Sequence, residues 1–146
     1  MTNSTFMMVR QKVSTNGKFE KIVGYSRAFR VHDTIFVSGT SGYSEDGSYD
    51  SDAYTQAKNA IRNIDSVLAK AGSSIRDVVR TRVFVKEDAD WRAIAKAHQE
   101  AFGTIMPAST MIVCGFFDKG IIVEIEADAV IDKKRPRKIR SVTVKA

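Results

Sequence analysis

From Pro107 to Ala129 the chain reads PASTMIVCGFFDKGIIVEIEADA, and no other stretch constrains the fold as much. Ile121, Val123, Ile125, Ala127, Ala129 and Ile131 alternate with polar positions that include Glu124, Glu126 and Asp128. Side chains along a strand point to opposite faces in turn, so this pattern predicts a strand with one buried face and one face carrying three carboxylates in a row. The residues before it read as a second long strand. Asp118-Lys119-Gly120 between the two predicts a tight connection, with Lys-Gly supplying a positive φ. Carboxylates this close disfavour one another's ionisation, so the row requires basic partners, water or a use in proton chemistry.

A basic row is available. Val79, Thr81, Val83 and Val85 alternate with Arg80, Arg82, Phe84 and Lys86, and a strand there in the same sheet would offset the acids. Two amphipathic helices are predicted around it. The first follows Ser51-Asp52 as N-cap, buries Ala53, Ala57, Ala60, Ile61, Ile64, Val67, Leu68 and Ala71, and stops at Gly72. The second runs from about Asp90 to Phe102 with Trp91, Ile94, Ala97, Ala101 and Phe102 as its apolar stripe and Gly103 as its stop. His98 reads as a satisfied helix residue rather than a ligand.

Nearer the start, Phe6 to Val13 predicts a first strand, broken by Ser14-Thr15-Asn16-Gly17. Tyr25 to Val31 and Thr34 to Gly39 form a hairpin pair. If His32-Asp33 is a two-residue turn, Val31 faces Thr34, Phe29 faces Phe36, Arg27 faces Ser38 and Tyr25 faces Thr40. Tyr25, Arg27, Ser38 and Thr40 would then cluster at one end of the hairpin. A guanidinium among hydroxyls suits an anion or carboxylate, because its planar fork donates to two oxygens at once; an exposed polar sheet end is the plainer alternative.

The order of elements is thus strand, hairpin, helix, strand, helix, two strands. It predicts an α+β two-layer sandwich, a mixed β-sheet with two helices on one face. The other face, with Phe29, Phe36, Phe84 and Met111 among its charges, would be costly to leave in water, which predicts self-association.

At 146 residues, 43% of them hydrophobic, the chain is long enough for one domain with its own core. The net charge of +6 belongs entirely to the stretch from Asp132 to Ala146, since acids and bases balance in the remainder. This divides the chain into a neutral domain, residues 1–131, and a basic C-terminal tail, residues 132–146. No aromatic residue interleaves the tail's charges to stack on bases, so nucleic acid is a disfavoured partner. Met1 to Thr5 is polar and no apolar run approaches the ~20 residues of a membrane span, which predicts no membrane association and a cytoplasmic location. The single cysteine, Cys114, fits a reducing compartment; with His32 and His98 far apart it offers no metal-ligand spacing, and no metal is expected.

The segments GYSRAFRVHDTIFVSGTSG, AIRNIDSVLAKAG, DVVRTRVFV and PASTM, followed by VEIEADAV, occur in that order between Gly24 and Val130. Together they resemble the Rid (YjgF-type) proteins, the reactive intermediate deaminase or endoribonuclease L-PSP family. The resemblance implies a chorismate-mutase-like fold, a homotrimer with three intersubunit clefts, and cofactor-free hydrolysis of imines and enamines such as 2-aminoacrylate. It further implies that Tyr25, Ser38 and Glu124 are cleft residues, with Glu124 positioning the attacking water as general base. Deaminating members carry an arginine for the substrate carboxylate where this chain has Ser109, and a small polar residue or cysteine where it has Met111. Reduced or altered activity is therefore expected, with Arg27 holding an anionic metabolite from the opposite wall. A non-catalytic ligand-binding trimer and an RNA-acting protein are the alternatives. The pocket is expected where two subunits bring the Tyr25 and Ser38 hairpin against the acidic strand.

Overall fold

The computed structural model describes residues 10–132 and 141–144. The elements run β1 (Arg10–Val13), α1 (Lys18–Val23), β2 (Ala28–Val31), β3 (Thr34–Ser41), α2 (Ala53–Lys70), a 3₁₀ turn (Ile75–Asp77), β4 (Val78–Lys86), α3 (Trp91–Phe102), β5 (Ala108–Cys114) and β6 (Val123–Val130). Phe6 to Val9 of the predicted first strand and 133–140 and 145–146 of the basic tail lie outside the described residues. Ser141 to Val144 form no strand.

The six strands form one mixed sheet in the order β1-β2-β3-β6-β4-β5, as an α+β fold requires. Ala28, Ile35, Val37, Val83, Val85, Val123, Ile125 and Ala127 line its inner face against the predicted α2 stripe, all of which is buried. Asp52 caps α2 by accepting from the Thr55 amide at 2.8 Å, and Gly72 takes the left-handed conformation beyond its end. Glycine is required at Gly42 for a different reason. A Cβ there would lie 2.0 Å from the Gln56 carbonyl oxygen, so α2 can approach the sheet only over a bare backbone.

Between β2 and β3 the two-residue turn holds. Val31 pairs with Thr34 and Phe29 with Phe36, while His32 adopts φ 53° and supplies the left-handed residue. The amide of Ser38 donates to the carbonyl of Arg27 at 3.0 Å, extending that register by one pair.

The predicted hairpin between the last two strands does not form. β5 pairs in parallel with β4, and β6 inserts antiparallel between β3 and β4. Residues 115–122 instead cross over to α2, where the fully buried Gln56 donates to the carbonyls of Asp50 (2.6 Å) and Gly120 (2.8 Å) and accepts from the Ile122 amide (2.9 Å). Gly120 is not among the positive-φ glycines; a Cβ there would lie 3.0 Å from the Tyr49 ring. Alternation reports that a segment is a strand, but not which strand lies beside it.

Two smaller expectations also change. A register shift between Val78 and Arg80 turns Val78 inward and leaves Val79 exposed. Trp91 is 51% exposed, with the Arg92 guanidinium 4.6 Å from its ring centroid, rather than in the apolar stripe. Gly103 does end α3 as expected, with right-handed rather than left-handed backbone angles. The short helix α1 had no sequence prediction; at its start the buried Glu20 carboxylate accepts from the Gly17 amide at 3.3 Å.

Candidate functional site

On the outer face of the sheet, β6 presents Glu124, Glu126 and Asp128 to β4. The cross-strand partners of the last two are Arg82 and Arg80. Arg82 lies 3.3 Å from both Glu126 and Asp128, and Arg80 reaches Asp128 at 3.7 Å. Two of the three carboxylates are therefore balanced by the basic row, as its alternation suggested.

Glu124 is not. Its cross-strand neighbours are Phe84 on β4 and Ser41 on β3. Its side chain lies across Gly39, where a Cβ would sit 2.2 Å from Oε1, so only glycine leaves room for the carboxylate in this position. A register shift between Val37 and Thr40 brings Gly39 there. Burial pushes the Glu124 carboxyl above its ordinary value, the Arg27 charge pulls it back, and Glu126 pushes it up further. A half-buried carboxyl held above its ordinary value suits a role in proton transfer.

Arg27 is 8% exposed and ties this region together. Nη1 donates to the Tyr25 hydroxyl at 3.1 Å. Nη2 donates to the carbonyls of Ser38 (3.3 Å) and Gly39 (2.6 Å) and to the Thr40 hydroxyl (2.7 Å). Its buried Nε has no partner among the described residues. The predicted cluster of Tyr25, Arg27, Ser38 and Thr40 thus exists, but Arg27 does not present an open fork to solvent. The Ser38 hydroxyl donates to the Ser26 carbonyl at 2.7 Å. A groove of about 480 Å³ opens beside the cluster, lined by Tyr25, Phe29, Phe36, Ser38, Arg82 and Glu126 among others.

Because β3 and β6 are neighbours, the hairpin and the acidic strand meet within one chain and need no second subunit to do so. Ser109 and Met111 stand apart from them. Both lie on edge strand β5, paired with Thr81 and Val83, and so share the helix side of the sheet rather than the face of Glu124. This also removes Met111 from the outer-face apolar set; Ala108, Thr110, Ile112 and Cys114 occupy that side of β5 instead.

Sequence reasoning did not single out Gly39 or Cys114 as companions of Glu124. Gly39 was visible only as the glycine of a Ser-Gly pair. For Cys114 the signal was parity, which becomes readable only once β5 is known to run parallel to β4. Its thiol is pushed up by burial and by the Glu124 charge. Among the described residues no group of histidine, cysteine, aspartate and glutamate side chains is arranged to hold a metal ion. No described helix is long and apolar enough to cross a membrane.

Comparison with known proteins agrees with this architecture. Residues 15–131 match the family described as Endoribonuclease L-PSP. A RutC family protein of Pyrococcus abyssi is 32% identical over 84% of this chain and 98% of its own. The mouse protein named 2-iminobutanoate/2-iminopropanoate deaminase is 29% identical over 84% of this chain and 93% of its own. The crystal structure of Rv2704 from Mycobacterium tuberculosis, a member of the YjgF/YER057c/UK114 family, superposes with a TM-score of 0.77 at 39% identity, covering 84% of this chain and all of that one.

Proposed function

Because the chain belongs to the endoribonuclease L-PSP or Rid family, we propose that it hydrolyses an imine or enamine of a small metabolite, with Glu124 as general base on the attacking water. The observation that carries this reading is Glu124 itself. It is the one carboxylate of its row without an arginine partner across the strands, it lies over Gly39, and burial raises its proton affinity. An imine carbon accepts water most readily when a base takes the water's proton as the bond forms, and a carboxyl tuned upward does so with the least mismatch.

Tyr25 supplies a phenol to the groove, which Glu124 does not itself line, and is joined to the region of the base through Arg27. Arg27 holds that phenol and lends positive charge to the region without clamping the ligand through both Nη atoms. Ser38 shapes the groove wall. The Ser109 and Met111 wall comes from a second copy of the chain in a homotrimer with three shared clefts. The exposed edge strand β5, with Ile112 and Val113 open to solvent, and the half-exposed Phe36 favour such an assembly. With Ser109 in place of a cation on that wall, turnover of carboxylate-bearing imines is slow.

A dehydratase that releases 2-aminoacrylate or 2-aminocrotonate, with the decay of the product followed optically, tests the reading. The wild type should accelerate decay weakly, Ser109→Arg should accelerate it about tenfold or more, and Glu124→Gln should abolish both effects. No acceleration by either Ser109 form would leave a ligand-binding trimer without catalysis. Light scattering on the eluting protein should give the mass of three chains.

A further inference from the structure

On the helix side of edge strand β5, away from Glu124, three neutral side chains from three elements form a continuous hydrogen-bonded line. Thr81 of β4 is 0% exposed. Its hydroxyl lies 2.9 Å from His98 Nε2 on α3 and donates to the Ser109 hydroxyl of β5 at 2.9 Å. The His98 ring packs on Phe102 with centroids 4.6 Å apart, and burial holds its pKa below the ordinary value. Ser109, at the outer end of the line, is exposed.

The direction of the line follows from counting protons. A threonine hydroxyl has one proton and cannot be left without partners when buried. Since Thr81 gives its proton to Ser109, the bond to His98 must be donated by the ring, which requires the neutral tautomer with hydrogen on Nε2. Ser109 Oγ is then occupied as an acceptor, and its own proton is free to point out of the protein. The reverse arrangement, with hydrogen on Nδ1, would turn both bonds around and leave Ser109 presenting lone pairs. Hydrogen bonds in series polarise one another, so the outward proton is a better donor than that of an isolated serine.

The geometry points to a His98-Thr81-Ser109 relay that fixes Ser109 as an outward hydrogen-bond donor for an uncharged oxygen acceptor of the ligand, a carbonyl of an amide, ketone or ester. Ser109 is the binding residue; Thr81 and His98 are positioning residues. The inference rests on the proposed cleft only in taking Ser109 to face ligand. It assigns to that wall a neutral acceptor in place of a carboxylate, because none of the three groups brings a charge.

Long-range proton–nitrogen correlation spectra of the ¹⁵N-labelled full chain, recorded well above the ordinary histidine pKa, test the relay without any ligand. The exposed His32 is the internal reference. His98 should carry its hydrogen on Nε2, and Ser109→Ala should shift it toward the Nδ1 form, because Thr81 then loses its acceptor and turns its proton to the ring. Thr81→Val should abolish the coupling between position 109 and the ring, and Thr81→Ser should restore it. A purely packing role would leave the tautomer unchanged. Titration with pyruvamide and with pyruvate, read at the Ser109 amide, tests the ligand class. Pyruvamide should bind at least as well as pyruvate and weaken by roughly two- to tenfold in Thr81→Val. Hydrogen on Nδ1 in the wild type, a clear preference for pyruvate, or no response of Ser109 to either compound would overturn the inference. Failure of imine hydrolysis alone would not, since the tautomer is read whether or not the chain is a catalyst.

Discussion

Glu20 and Glu124 are both drawn out of bulk water, and the fold treats them in opposite ways. Glu20, in α1, loses hydration but receives hydrogen bonds from the hydroxyls of Ser14 and Thr15 and the amides of Thr15 and Gly17. Burial alone would raise its pKa; these donors outweigh burial and bring it down to about 2. Glu124 loses hydration with no hydrogen-bond donor to its carboxylate among the described residues, and is pushed up despite Arg27. Burial therefore does not decide a carboxyl's proton affinity; the donors supplied with it do. The first arrangement builds structure, and the second preserves reactivity.

The consequences for pH run in opposite directions. Glu20, with a depressed folded pKa, contributes stability that is present above its ordinary 4.5 and is lost as pH falls through about 2. Glu124, with a raised folded pKa, binds its proton more tightly when folded. Its contribution is most favourable below the ordinary value and declines as pH rises through the raised one.

The widest test of this contrast is exchange of each acid for its amide. Glu124→Gln should cost about 10²- to 10⁴-fold in the dehydratase-coupled assay while leaving the thermal midpoint unchanged or higher, since the amide carries no charge to bury. Glu20→Gln should leave catalysis intact and destabilise the fold by about 1–3 kcal/mol at neutral pH, a cost that shrinks toward pH 2 in denaturant titrations. If the two variants have the same effect on stability, the contrast is lost.

Moving Glu124 without removing it is a finer probe. Gly39→Ala places a Cβ against the flexible end of that side chain, which can swing aside. The fold should survive with under about 1 kcal/mol of change, and turnover should fall about tenfold or more as the base is displaced. Phe84→Arg would give Glu124 the cross-strand cation that Arg82 already gives Glu126. The Glu124 titration, followed by carboxyl carbon shifts, should then move downward. The smallest effect belongs to Arg82→Ala, whose half-exposed pairs with Glu126 and Asp128 should be worth no more than about 1 kcal/mol in urea unfolding.

Much of this was legible in the residues. The α2 stripe, the two-residue turn at His32-Asp33 and the acidic and basic rows all obey short repeats that any neighbourhood must respect. Trp91 misled because a stripe written at helical spacing can extend past the surface the helix buries. The α1 cap was overlooked because six residues are too few to show a period, and its anchor, Glu20, reads as an ordinary surface acid. The hairpin expected across Asp118-Lys119-Gly120 failed because its turn chemistry was sound locally, while Gln56 offered residues 115–122 a buried polar anchor on α2.

The sequence by itself determined that α2, α3 and the long strands form, which faces of α2 and β6 are buried, and the family to which they belong, because all of these depend on order and spacing along the chain. Only the tertiary structure decided that β6 lies between β3 and β4, that Gly39 makes room for Glu124, and that Ser109 is joined through Thr81 to His98. Those relations bring together residues distant in sequence. They are set by which surfaces pack, and no local repeat encodes that choice.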